Sequence, residues 1–323
     1  MFKGFLTLTL GDYVFHMIIN TKIVNKLGSV KYVSYICGIN KWVPPVHMEI
    51  NKTYNESCLV TMGNMPNDFI DLTVTSPPYD DIRNYNNNVG KMVDEYNGYS
   101  FPFEDIAKEL YRVTKKGGVV VWVVNDAIKN GSETLNSFRQ ALYFKEIGFN
   151  VHDTMIYRKL NPMPNAGTRY QQMFEYMFVF SKGKPKTTNI SLRERSNKCN
   201  DKRTYRKKKF SRNQDGDFNE NDYYVKEMVP DYNIWDFYVG GGNTTNDKVA
   251  FKHPAIFPEE LVKRHLDSWS NENDLVYDPF MGSGTTSKMC ILNKRNYIGS
   301  ELSQEYCEIE KERLLLINKE ITK

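Results

Sequence analysis

Residues 74–79 read Val74-Thr75-Ser76-Pro77-Pro78-Tyr79 and close the apolar run that starts at Phe69. Each proline fixes its own φ and removes an N–H donor, and the residue before a proline is held in extended backbone. The carbonyls of such a turn point outward at fixed positions, with a hydroxyl before them and a flat ring after them. That set of acceptors can grip a group carrying two N–H bonds, such as the exocyclic amine of a nucleobase. Taken alone, the tetrapeptide fits a rigid strand exit with an aromatic plug equally well.

A second signal lies two hundred residues further on. Val276-Tyr277-Asp278-Pro279-Phe280-Met281-Gly282-Ser283-Gly284-Thr285-Thr286 reads as a short strand, a glycine turn and a helix beginning near Thr285. Glycines at 282 and 284 let the backbone turn sharply and approach a ligand closely. Asn296 to Ser300 then reads as a second strand ending at the carboxylate of Glu301. Strand, glycine loop, helix, strand and acid form the nucleoside half of a Rossmann-like unit, the acid placed to bind ribose hydroxyls. A triphosphate loop needs lysine straight after its last glycine, and none follows Gly284 before Lys288. A dinucleotide fingerprint needs a third glycine where Ser287 stands. The loop suits a nucleoside cofactor without a pyrophosphate.

Together the two motifs resemble the DNA methyltransferases that modify the amines of cytosine N4 or adenine N6. The order, catalytic tetrapeptide before cofactor loop, resembles the permuted beta class, over nearly the whole chain from Met48 to about Leu316. The resemblance implies S-adenosylmethionine as cofactor, no metal, and double-stranded DNA as partner, with a cognate restriction endonuclease as a further candidate. The Thr-Ser-Pro-Pro-Tyr form leans toward cytosine N4, whereas adenine-N6 relatives more often carry aspartate in the serine position. Adenine-N6 methylation and a catalytically silent DNA-binding relative are the alternatives. No cysteine follows a proline, which counts against the carbon-5 cytosine methylases and their Pro-Cys nucleophile.

By resemblance, the Ser76 hydroxyl and Pro77 carbonyl accept the amine protons, Tyr79 stacks on the extruded base, and Thr75 and Pro78 fix the turn. A nucleobase amine is a poor nucleophile because its lone pair is delocalised into the ring, so pre-organised acceptors are the help it needs. On the cofactor side, Phe280 packs near the adenine and Gly282 and Gly284 permit close approach. Thr285 and Thr286 present helix N–H groups to the methionine carboxylate. Glu301 binds the ribose, and Asp278 orders the loop or meets the amino-acid end. Relatives carry Gly-Asp before Cys-Leu upstream of the catalytic strand. Here Glu56-Ser57 precedes Cys58-Leu59, so that contact is lost or passes to one of them.

Composition sets the frame for these motifs. The chain has 323 residues, 40% hydrophobic and 25% charged, with a net charge of +4. This is enough for one large α/β domain plus an insertion, and DNA affinity must come from local clustering of charge. Five cysteines form no Cys-x-x-Cys and no metal spacing with the five histidines, as expected of buried thiols in a reducing cytoplasm. No apolar stretch approaches the roughly twenty residues of a membrane span. The opening Phe5 to Leu10 is too short, and lacks the cleavage site, for a signal peptide.

The elements that must position the motifs alternate. Strands are expected over 69–75, 119–124, 150–157 and 176–181, and helices over 103–113, 137–147 and 259–269, with Lys116-Gly117-Gly118 as a helix stop. This predicts a doubly wound, mostly parallel Rossmann-like sheet of the S-adenosylmethionine-dependent methyltransferase kind, carrying an inserted target-recognition region. The parts are an extension of unknown role over 1–47, a catalytic half over 48–182, an insertion over 183–250 and a cofactor half over 251–323. In the insertion Arg203, Arg206, Lys207, Lys208, Lys209 and Arg212 are interleaved with aromatics, the footprint of a DNA contact. A solvated charge run is the alternative, and the DNA reading is preferred because the run sits where the family that the chain resembles carries its target-recognition region. His253 reads as a capping or structural residue. Monomer and dimer are both compatible with the sequence.

Overall fold

The computed structural model describes residues 2–10, 13–21, 48–78, 102–162, 164, 167–194, 228–240, 242–253 and 255–321, with side chains from 48 to 317. It comprises two compact units, Met1–Met48 and Glu49–Lys323. In the first, β1 (Phe2–Leu10) and β2 (Tyr13–Thr21) pair antiparallel, Phe2 opposite Thr21 and Leu10 opposite Tyr13.

The second unit is built on an eight-stranded sheet. In chain order it holds β3 (Lys52–Tyr54), α1 (Cys58–Gly63), β4 (Ile70–Thr75), α2 (Phe103–Val113), β5 (Thr114–Val124), β6 (Ile128–Lys129), β7 (Ser132–Glu133), α3 (Asn136–Glu146), β8 (Asn150–Lys159) and β9 (Phe174–Ser181). Then come β10 (Leu192–Glu194), β11 (Met228–Pro230), β12 (Ile234–Phe237), a 3-10 turn over Lys248–Lys252, α4 (Glu259–Trp269), β13 (Leu275–Asp278), α5 (Thr285–Leu292), β14 (Asn296–Ser300) and α6 (Gln304–Ile321). The sheet order is β12-β8-β9-β5-β4-β13-β14-β3. Every neighbouring pair is parallel except the two made by β9, which runs antiparallel to β5 and β8. The expected doubly wound, mostly parallel architecture is the one observed.

Helices cover both faces, which is why the central strands read as unbroken apolar runs. Leu72, Val74, Val121 and Val123 belong to a core shared with Leu261, Val262 and Leu266 of α4. Alternate residues turn the other way, where Trp122 meets Phe144 of α3 at 5.2 Å and Phe103 of α2 at 6.0 Å. Helix α2 buries Ile106, Leu110 and Val113 as its spacing predicts. Cys58, Cys290 and Cys307 are buried, and burial pushes the Cys58 and Cys307 thiols up to about 12. They are packing residues at neutral pH.

Two expectations differ from the structure. Lys116-Gly117-Gly118 does not end a helix: α2 stops at Val113 and β5 starts at once, the Gly-Gly pair lying inside the strand where the β4/β5 register shifts. Gly117 takes φ +81° there and its N–H donates to the Lys182 carbonyl, so the glycines serve an irregular strand entry. In addition Ile234–Phe237, within the span read as insertion, is the edge strand of the main sheet, parallel to β8. Among the described residues no helix is long and apolar enough to cross a membrane.

The centre of the sheet carries the fold. Leu72→Ala, at a fully buried position of β4, is expected to lower the unfolding free energy in urea by about 2–5 kcal/mol. Leu142→Ala, on α3 where the side chain is 69% exposed, is expected to change it by less than about 0.5 kcal/mol.

Candidate active site

From β4 the chain leads away to β5, and from β13 it leads away to β14, so the two adjacent strands flank a topological switch point. In open α/β sheets ligands bind in the crevice beyond the carboxyl ends of such strands. Both motifs sit there. Ser76, Pro77 and Pro78 follow β4, with Pro77 buried and its neighbours half-buried, and Asp278 ends β13. Tyr79 lies outside the described residues.

Asp278 joins the two. One carboxylate oxygen accepts from the Thr75 hydroxyl at 2.7 Å and from the Phe280 N–H at 3.0 Å, and the other accepts from the Thr286 hydroxyl at 2.6 Å. Burial raises its pKa, and the Thr286, Thr75 and Phe280 hydrogen bonds pull it back. Asp278 thus ties β4, the loop at Phe280 and the start of α5 together, and its Oδ2 keeps one further lone pair.

The glycine turn follows. Gly282 and Gly284 take φ of +54° and +78°, where a Cβ is strained. The Gly282 N–H donates to Glu301 Oε2 at 2.8 Å, and Ser303 N–H donates to Oε1 at 2.8 Å. Each oxygen of Glu301 keeps a second lone pair. Burial pushes this carboxyl up to about 7 against the pull of those two N–H groups. A Cβ on Gly284 would collide with the Glu310 side chain, and one on Gly282 would press on the His253 ring. His253 Nδ1 accepts the Ala255 N–H at 3.1 Å and its ring meets Tyr306 edge-on at 4.2 Å, a structural placement.

Phe280 is half-buried and stands edge-on to Trp122 at 6.2 Å, so an aromatic wall flanks the crevice. Helix α5 starts at Thr285 with no side-chain cap, and its first-turn amides have no intrahelical acceptor. The hydroxyls of Thr285 and Thr286 face inward, toward Arg313 at 3.2 Å and Asp278, which leaves the amides as the groups of this turn that could bind an anion. The crevice fits a nucleoside with an amino-acid tail. A diol can donate to Glu301, a flat base can lie against Phe280, the glycine turn admits close approach, and an anion fits the α5 amino end.

Arg203, Arg206, Lys207, Lys208, Lys209 and Arg212 lie outside the described residues. The segments on either side are described: β10 pairs with β11, Arg264 binds Asp231 at 2.6 Å, and the Arg193 guanidinium lies 3.7 Å from the Tyr232 ring centroid. Glu56 accepts from the Thr61 hydroxyl at 2.8 Å. The sequence did not reveal Thr53, Asp247, Glu259, Lys288, Glu310 and Arg313, which gather behind the glycine turn. Each is an ordinary polar or charged residue on its own element, and only the fold brings them together.

Two outcomes follow from this geometry. Thr286→Val leaves one oxygen of a buried carboxylate without its donor, and an unfolding free energy lower by about 1–3 kcal/mol is expected. Glu301 titrates above its ordinary 4.5, so the stability it contributes is whole below that value and lost as pH rises through about 7. Across this window the unfolding free energy of the wild type should fall relative to Glu301→Gln, which does not titrate; parallel profiles would contradict it.

A family model described as DNA methylase, N6_N4_Mtase, matches residues 70–312, well over half of the chain. The orphan methyltransferase M.BamHII of Bacillus amyloliquefaciens is 57% identical over 247 residues, 76% of this chain and 88% of that protein. The type II methyltransferase M.HinfI of Haemophilus influenzae is 26% identical over 285 residues, 82% of this chain and 68% of that one. Among solved structures, PvuII DNA methyltransferase (cytosine-N4-specific) superposes with a TM-score of 0.57 at 19% identity, covering 80% of this chain and 84% of that chain; it shares the fold. The matched span includes both rims of the crevice between β4 and β13, and the chain belongs to the N6_N4_Mtase family of DNA methylases.

Proposed function

We propose that this DNA methyltransferase transfers a methyl group from S-adenosylmethionine to the exocyclic N4 amine of a cytosine extruded from duplex DNA. The observation that carries the reading is Ser76: a hydroxyl, not a carboxylate, stands before Pro77-Pro78 at the carboxyl end of β4, beside the glycine turn. The cofactor supplies an electrophilic methyl group on a sulfonium. Ser76 and the Pro77 carbonyl accept the two amine protons and turn the nitrogen lone pair toward that methyl. Acceptors held by a rigid turn need no reorganisation during transfer. The methylated amine is a cation that loses a proton readily, so a hydroxyl suffices where a stronger base would otherwise stand. Tyr79 stacks on the base, which leaves the duplex at a cost of about a few kcal/mol.

On the cofactor side Glu301 holds the ribose hydroxyls, Phe280 packs against the adenine, Gly282 and Gly284 give room, and the α5 amides at Thr285 and Thr286 bind the methionine carboxylate. Arg203, Arg206, Lys207, Lys208, Lys209 and Arg212, in the target-recognition insertion, neutralise DNA phosphates.

Three experiments test this. Methylated DNA digested to nucleosides should contain N4-methylcytosine; N6-methyladenine alone would overturn the choice of base. Ser76→Ala should reduce kcat by about 10²-fold with little change in cofactor affinity. Because the ribose is held by ionised Glu301, cofactor affinity should rise as pH passes upward through about 7, with proton release on binding. Glu301→Gln should bind weakly and without that pH dependence, as titration calorimetry in two buffers would show.

A further inference from the structure

Behind the glycine turn lies a cluster of four charged side chains that no step of the methyl transfer uses. Arg313, on α6, is fully buried. Its Nε donates to Asp247 Oδ2 at 3.0 Å and its Nη2 to Glu259 Oε1 at 2.9 Å. Its Nη1 donates to the Ser283 carbonyl at 2.7 Å and lies 3.2 Å from Thr285 Oγ1. Lys288, on α5, donates to the same Asp247 and Glu259 oxygens at 2.8 Å each. Two cations and two anions balance, and they come from four places: the segment after β12, the start of α4, α5 and α6.

We propose that Arg313 is a positioning residue for cofactor binding, an inference that rests on the functional reading above. All three guanidinium nitrogens are used. Two are fixed on acids outside the loop, and the third holds the Ser283 carbonyl and the Thr285 hydroxyl from behind. That grip sets where the Gly282 and Gly284 backbone and the first α5 amides stand relative to the crevice. Asp247 and Glu259 hold the fork in plane, and Lys288 balances their charge. Lysine cannot replace it, because an ammonium offers its donors from one point on an unforked stem. Arg313 lies one residue beyond the span matched by the family model, which ends at 312.

The test uses the full-length protein, S-adenosylmethionine and a methyl-accepting duplex. Arg313→Lys keeps the charge and loses the fork. Its Kd and KM for S-adenosylmethionine should rise about 10-fold, in proportion to a few lost hydrogen bonds. Its kcat at saturating cofactor should stay within about 3-fold, and its affinity for DNA should be unchanged. A purely structural role would lower melting temperature and active fraction and leave KM where it was, and that result overturns the proposal. If Arg313→Lys does not fold, Glu259→Gln retains an acceptor for Nη2 and should weaken cofactor binding by a smaller factor, about 3-fold; an unchanged Kd there overturns it as well. Wild-type protein that binds no S-adenosylmethionine would overturn the functional reading itself, whereas equal binding by wild type and Arg313→Lys overturns the positioning role alone.

Discussion

The hydrogen bond from Thr75 to Asp278 is the constraint on which the site depends. It spans two adjacent parallel strands at the point where the winding of the sheet reverses, and it does so with a buried carboxylate. A desolvated carboxyl is costly unless its oxygens are satisfied. Asp278 meets that condition with donors from β4, from the loop at Phe280 and from α5. The same three bonds therefore fix the exit of the Ser76-Pro77-Pro78 turn and the path of the glycine loop in one frame. Residues some two hundred positions apart in the chain become opposite rims of one crevice.

Around that frame the structure uses two different materials. The sheet is apolar on both faces, and its aromatic layer of Trp122, Phe103 and Phe144 reaches the crevice through Phe280. Such packing places a ring with little directional specificity. Behind the glycine turn the contacts are ionic and directional, through Arg313, Lys288, Asp247 and Glu259. A buried ion cluster adds little net stability, and its attested use is to select one geometry. A loop whose backbone must meet a ligand closely is where such selection has value. Glu310 adds to this: its side chain lies where a Cβ on Gly284 would stand, and it accepts from Thr53 at 2.8 Å.

Some of this was legible in the chain and some was not, for reasons that lie in particular residues. Ile106, Leu110 and Val113 recur at helical spacing and face the sheet, so α2 could be read directly. Lys116-Gly117-Gly118 misled because Gly after a helix is a common stop; here Thr114 had already begun the strand, paired with Ile70. The strand Ile234–Phe237 escaped because four residues amid charged and aromatic neighbours carry too little alternation to identify. Arg313 escaped because an arginine on an amphipathic helix is ordinarily solvated, and nothing local distinguishes one that is buried.

By itself the sequence determined the fold class and the family. The alternation of strands and helices gave the doubly wound sheet, and the order of Ser76-Pro77-Pro78-Tyr79, Asp278 to Thr286 and Glu301 carried the resemblance to the amino-methylating enzymes. Proline and glycine impose their backbone geometry wherever they occur, so those motifs are readable one at a time. The tertiary structure decided which partner each group has. Asp278 faces Thr75 and Thr286 and so ties β4 to α5. The threonine hydroxyls turn inward, to Arg313 and Asp278, and Glu301 is partly desolvated, which moves its titration toward neutrality. Hydrogen-bond direction and desolvation depend on neighbours brought in from distant parts of the chain, and for that reason they become visible only once the sheet is closed over its helices.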